Sequence, residues 1–178
     1  MKRTLNYIYA FLAFGILIFI DQFTKYLART KLADGRTFSV IKNVLQFNYI
    51  RNNGAAWGIM SGKQIFFIIL TLVLIVGIIY IYFKIPSDKK YRLLKVILVT
   101  LSAGAVGNLI DRIKNGYVDD FIDFYLINFP VFNFADICVC LSMIGLVISI
   151  FFVYKDKDME FLKIRKKESK EVNELSLI

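Results

Sequence analysis

The segment VDDFIDFYLINFPVFNFADICVC, running from Val118 to Cys140, sets Asp119, Asp120, Asp123 and Asp136 among aromatics, just where a long apolar run begins. Carboxylates in so apolar a setting are costly unless each has a partner or a chemical task. Two carboxylates held a few ångströms apart cannot both ionise easily, so near neutral pH they tend to share one proton. One can then take a proton from water as it attacks a carbonyl, while the other donates to the carbonyl oxygen. That chemistry needs no metal, histidine or serine. The chain has no histidine, which excludes a Ser-His-Asp triad, a Cys-His pair and a His-x-x-x-His zinc arrangement together.

Five polar groups frame these acids: DQFTK at Asp21, NNG at Asn52, GNLIDR at Gly107, YVDDFID at Tyr117 and NFAD at Asn133. Each has a structural reading as well as a chemical one. Asp21 and Lys25 have the i, i+4 spacing of an intrahelical ion pair, with the acid first. Asn133 and Asp136 are spaced like a capping box at a helix start. Asn52 and Gly54 suit a turn, and Gly104 and Gly107 suit close helix packing. Asp111 lies near a helix C-terminus, where the macrodipole disfavours an anion. It therefore needs a partner, which Arg112, Lys25 or Asn108 can supply.

The elements that position these groups follow from composition. Hydrophobic residues make up 57% of the 178, and the chain has only two prolines, which is a membrane composition. Four windows approach the roughly 20 apolar residues that cross a bilayer: Tyr7–Leu27, Ile65–Phe83, Leu93–Ile113 and Ile137–Tyr154. The first runs into Asp21, Gln22 and Lys25 without a small-residue cleavage pattern, so it reads as a retained helix. Lys2, Arg3, Lys84, Lys89, Lys90, Arg92, Lys95 and the basic tail fall on one side of four alternating spans. That side is cytoplasmic by the positive-inside rule, with both termini inside. All five polar groups then converge on the opposite face.

Between the spans, the 28–63 loop holds TFSVI and VLQFNYI, whose alternation predicts a small antiparallel sheet on the outer membrane surface. Trp57 in RNNGAAWG suits the interfacial aromatic belt. The third loop, from Lys114 to Phe132, is apolar enough to lie in the interface as a loop or short helix. The resulting fold class is an all-α membrane protein with four transmembrane helices, a small extracytoplasmic β element and an interfacial loop. Residues 1–155 form the membrane domain, and 156–178 form a charged tail, solvated or surface-associated. The net charge of +9 flanks the spans rather than forming a folded patch, so anionic lipid headgroups account for it and nucleic acid does not. Cys138 and Cys140 point to different helix faces, and no disulfide is expected between them.

The strings DQFTK, NNGAAWG, GNLIDR with GYVDDF, and NFAD, in this order between four spans, closely resemble the lipoprotein signal peptidases, or signal peptidase II. The match runs from the first span through the fourth and omits the tail. The resemblance implies a bacterial inner-membrane aspartic endopeptidase that cuts diacylglyceryl-modified prolipoproteins just before the lipidated cysteine, and that globomycin inhibits. It implies Asp120 and Asp136 as the catalytic pair. Asn108, Asp111, Arg112 and Asn133 would support them, with Asn52 and Gly54 from the outer loop and Asp21 and Lys25 from the first helix. No metal or cofactor is implied, membrane lipid and prolipoprotein are the partners, and a monomer is expected. This chain departs from the pattern at Asp119, where the family usually has an apolar residue. Composition leaves Asp119 and Asp120 equivalent, and the adjacent Phe121 with the family spacing selects Asp120.

Two other classes compete. A small proton-coupled transporter would place its carboxylates near span midpoints, and a non-catalytic scaffold would tolerate Asp→Asn at both positions.

Overall fold

The structure is a computed structural model and describes residues 2–54 and 60–162; Trp57 lies outside the described residues. Among the described residues, four helices are long and apolar enough to cross a membrane. They are α1 (Lys2–Leu32), α2 (Gln64–Lys84), α3 (Arg92–Asn115) and α4 (Phe134–Ile148), the last extended by a π turn over Ser149–Val153. No residue of α2 is buried, as befits a helix that is apolar all round and faces lipid. Outward-facing aromatics such as Phe11, at 75% exposure, and Phe152, at 84%, continue that surface on α1 and after α4.

α3 is the central helix and touches the other three. Its glycines set how closely they approach. A Cβ on Gly104 would stand 2.5 Å from the Ala135 carbonyl oxygen, and one on Gly107 would stand 2.5 Å from Asp21 Oδ2. Hydrogen at these two positions is what lets α1 and the first turn of α4 meet across α3.

Three antiparallel strands, β1 (Thr37–Ile41), β2 (Leu45–Asn52) and β3 (Val118–Asp123), form a sheet in the order β1-β2-β3. The first two are the strands that alternation predicted. The third corrects the expectation of an interfacial loop or helix over 114–132. Gly116, at φ 76°, ends α3 in the left-handed region and turns the chain into β3. Past the end of α3 at Asn115, the helical part of that stretch is the 3-10 turn at Tyr125–Ile127. Phe132 then bridges back to Ile122.

A bulge lies between β2 and β3: Phe47 pairs with Ile122, but Ile50 pairs with Asp120, so Asn48 and Tyr49 together oppose Phe121. The extra residue shifts every later β2 side chain to the other face. Asn52 therefore shares a face with Asp120, while Tyr49 and Arg51 share one with Asp119.

At the other end of the bundle, Ile85, Leu94, Leu98 and Tyr154 form a buried cluster, against which Tyr91, Met159 and Phe161 pack. Asp158 forms an ion pair with Lys90 at 2.6 Å, and the Tyr91 hydroxyl donates to the Asp158 carbonyl at 2.9 Å. The first tail residues, Asp156–Leu162, are thus a 3-10 segment packed on the bundle, where the charge pattern leaves a solvated or a surface-associated tail open. Sequence periodicity missed this because only Met159, Phe161 and one buried acid carry it.

Candidate active site

All five polar groups meet at the sheet end of the helices, in two clusters. In the first, Lys25 of α1 stands 2.9 Å from Asp21 and 2.8 Å from Asp111, and donates to Asn108 Oδ1 at 2.9 Å. Lys25, Asp21 and Asp111 are each about 1% exposed. The i, i+4 pair is therefore real, and it also carries a third member from α3. Asp111 finds its cation in Lys25, not in Arg112, and accepts further bonds from Gln22 at 3.0 Å and from the Asp119 backbone N–H at 3.2 Å. Asp21 accepts from the Ala135 N–H at 2.9 Å, one of the free donors in the first turn of α4. One lysine and two acids thereby tie α1, α3, α4 and β3 together.

The second cluster contains Asp120 from β3 and Asp136 from α4. The capping box is present: Asn133 accepts from the Asp136 N–H at 3.0 Å, and Asp136 Oδ2 accepts from the Asn133 N–H at 3.1 Å. Its second oxygen accepts from Asn108 Nδ2 at 2.7 Å. The capping residue also reaches Asp120, donating to Oδ1 at 2.6 Å, and Asn52 donates to Oδ2 at 2.8 Å. Asn133 links the two carboxyl groups and is itself fully buried. Burial, and then the negative charge of Asp136, push the Asp120 carboxyl up to about 7 even though two amides donate to it. Among the described residues no cation forms an ion pair with either carboxyl group. Lys25 reaches them only through Asn108, whose Oδ1 takes the ammonium and whose Nδ2 holds Asp136.

Gly54 and Arg112 close one edge. The Gly54 N–H donates to Asn52 Oδ1 at 2.9 Å, orienting that amide toward Asp120. Among the described residues Arg112 makes long bonds, 3.4 Å to the Gly54 carbonyl and 3.5 Å to that of Asn108, and lies over the Phe67 ring at 5.0 Å. Its buried Nε has no partner among the described residues. Asp119 points elsewhere. It pairs with Arg29 and accepts from the Tyr49 hydroxyl at 2.6 Å, with no measurable exposure.

The comparisons with known proteins decide the family. The family model described as "Signal peptidase (SPase) II" matches residues 13–152. The chain belongs to the signal peptidase II family. Lipoprotein signal peptidases from Staphylococcus aureus strains JH9 and Newman are each 42% identical over 137 residues, covering 75% of this chain and 82% of theirs. A bacterial membrane enzyme solved by the in meso method at 2.3 Å resolution superposes with a TM-score of 0.72 at 36% identity, covering 88% of this chain and 93% of that one. A second such structure, at 1.9 Å, gives 0.71 at 37% identity, with 82% and 94% covered. Membership in signal peptidase II makes the chain a membrane protease of lipoprotein signal peptides.

Every candidate residue taken from the resemblance lies in one of the two clusters or at the Arg112 edge. Gln22 belongs to the first cluster too, and it stands inside the quoted DQFTK string. Arg29 and Tyr49, which hold Asp119, carried no sequence signal. Their roles depend on the bulge and on α1 continuing past Leu27 to Leu32.

Proposed function

We propose that this chain is an aspartic endopeptidase that cleaves diacylglyceryl-modified prolipoproteins immediately before the lipidated cysteine, with Asp120 and Asp136 as its catalytic pair. The observation that carries the reading is one buried asparagine joining two carboxyl groups that have no ion-pair partner among the described residues. In the free enzyme Asp136, in the first turn of α4, holds the negative charge, which the helix dipole favours. Asp120, raised to about 7, holds the proton. Asp136 takes a proton from water as its oxygen attacks the scissile carbonyl, and Asp120 gives its proton to the carbonyl oxygen. The tetrahedral intermediate collapses as Asp136 returns its proton to the leaving amine and Asp120 recovers its own. A carboxylic acid, the cysteine amine and the original protonation states of both aspartates result, and the new acid passes its proton to water. Arg112, with donors to spare at the site's edge, holds a substrate carbonyl.

The diacylglyceryl chain keeps the scissile peptide at bilayer depth, where the sheet end of the spans would lie. Asp120 and Asp136 gather at that end rather than at span midpoints, which favours hydrolysis over proton transport. In this reading the enzyme is an inner-membrane monomer, both termini are cytoplasmic, the site is extracytoplasmic, and globomycin competes with the substrate. The test is purified protein with a lipidated prolipoprotein, read by gel shift. Cleavage that globomycin blocks is expected, and an intact precursor in active lipid would reject the proposal.

A further inference from the structure

Beside Asn52 and Gly54 lies a cavity of about 670 Å³, a size within the roughly 300–1,000 Å³ of ligand pockets. Its walls come from β2, the turn after it and the stretch from Asp123 to Val131; no described residue of the four spanning helices lines it. Asn52 and Gly54 belong both to this wall and to the surroundings of Asp120. The lining is rich in side-chain amides, including Gln46, Asn48 and Asn128, and carries one acid, Asp123, and one base, Arg51.

Asp123 is 8% exposed and spends one oxygen on the fold. Its Oδ2 accepts from Gln46 at 2.8 Å and from Asn48 at 3.4 Å, and Oδ1 has no partner among the described residues. A nearly buried carboxylate with a free oxygen on a polar cavity is a receptor for a hydrogen-bond donor.

The substrate's two halves differ in chemistry. The signal half is apolar and stays with the spans, whereas the mature half is polar and leaves for water. Amides that both donate and accept suit the backbone of an extended polar chain. Taking the lipoprotein-cleavage reading as its basis, we propose that this cavity receives the first mature residues after the lipidated cysteine, and that Asp123 selects there for a donor or basic side chain.

The experiment offers the purified full-length chain, in lipid, a mixture of two precursors identical through the lipidated cysteine. One carries lysine at the second and third mature positions, and the other carries glutamate. The wild type should favour lysine by about tenfold in kcat/KM, the worth of one charge-assisted hydrogen bond. Asp123→Asn should bring that ratio close to one while still cleaving a serine-bearing precursor. Arg51→Gln, a change at an exposed position, should raise the preference for lysine, so the proposal stays testable if Asp123→Asn fails to fold. Cleavage with a ratio near one in the wild type, or a ratio unmoved by the variants, overturns the cavity's role and leaves the protease reading standing. Failure to cut any lipidated precursor overturns both.

Discussion

The two clusters at the sheet end use the same residue types at the same depth and solve the burial of charge in opposite ways. Around Lys25, two carboxylates lean on one ammonium, and every strong donor is used within the fold. Around Asn133, two carboxyl groups lean, among the described residues, on amides, and one of them is raised to about 7. In the first cluster the carboxylates are held by a buried ammonium and by N–H donors from α4 and β3, so they join elements and hold structure together. An acid poised near neutrality can both hold and release a proton, so the second is suited to chemistry.

The largest expected effect tests the second cluster. Asp120→Asn and Asp136→Asn should each lower turnover by about 10²–10⁴-fold, with folded, membrane-inserted protein, because an amide fills the space but cannot carry the proton. Cleavage rates measured beside Tm decide this, and an active, well-folded Asp136→Asn would leave the contrast between the clusters without meaning.

The next effect is on stability. Lys25→Met strands Asp21 and Asp111 without a cation in the interior and should cost about 3–5 kcal/mol. Adding Asp21→Asn and Asp111→Asn to it should recover much of that loss, since no buried charge is then left unpaired. A Lys25→Met protein as stable as the parent would show that the ammonium was not holding α1 to α3. Gly107→Ala attacks the same joint by geometry, since its Cβ would stand 2.5 Å from Asp21 Oδ2.

Some of this contrast was legible in the residues alone, and the reason is local spacing. The Asp21–Lys25 pair and the Asn133–Asp136 box each lie within one helical turn, so their partners could be read from sequence. That Asn133 also holds Asp120 depends on β3 meeting α4, and that Lys25, among the three partners the residues allow, is the one that holds Asp111 depends on α1 meeting α3. β1 and β2 showed in their alternation, but β3 did not. Its residues are buried on both faces, with Asp119 turned one way and Asp120 the other, so no apolar period survives. The bulge, which decides which β2 side chains meet which acid, has no signature in LQFNYIRN.

A third prediction follows from the proton on Asp120. Below about pH 4 the carboxyl is protonated in both folded and unfolded chains and contributes no pH dependence. Between about 4 and 7 the unfolded chain ionises while the folded chain keeps its proton, so stability falls as pH rises, by up to about 4 kcal/mol. Above 7 the penalty is constant. Asp120→Asn removes it, so the variant should have a higher Tm than wild type at pH 8, with the gap closing toward pH 4. Parallel Tm curves for the two proteins across that range would mean that Asp120 ionises as freely in the fold as in water.

The smallest effect belongs to Asp119, the acid that the family pattern lacks. It is as buried as Asp120 and next to it in sequence, yet it belongs with the first kind of cluster, because Arg29 supplies a cation and Tyr49 a hydroxyl. Burial raises the Tyr49 hydroxyl above its ordinary range, so it remains a donor. Asp119→Asn keeps an acceptor for Tyr49 but gives up the charge facing Arg29, which is 39% exposed and can turn to water. The expected loss is about 1–2 kcal/mol, with turnover per folded molecule unchanged, because the side chain lies on the face of β3 away from Asp136. Titrating folded fraction and cleavage rate together separates the two quantities. A folded but inactive Asp119→Asn beside an active Asp120→Asn would shift the catalytic pair by one residue. It would also mean that a cation-paired acid can do the chemistry assigned here to an amide-held one.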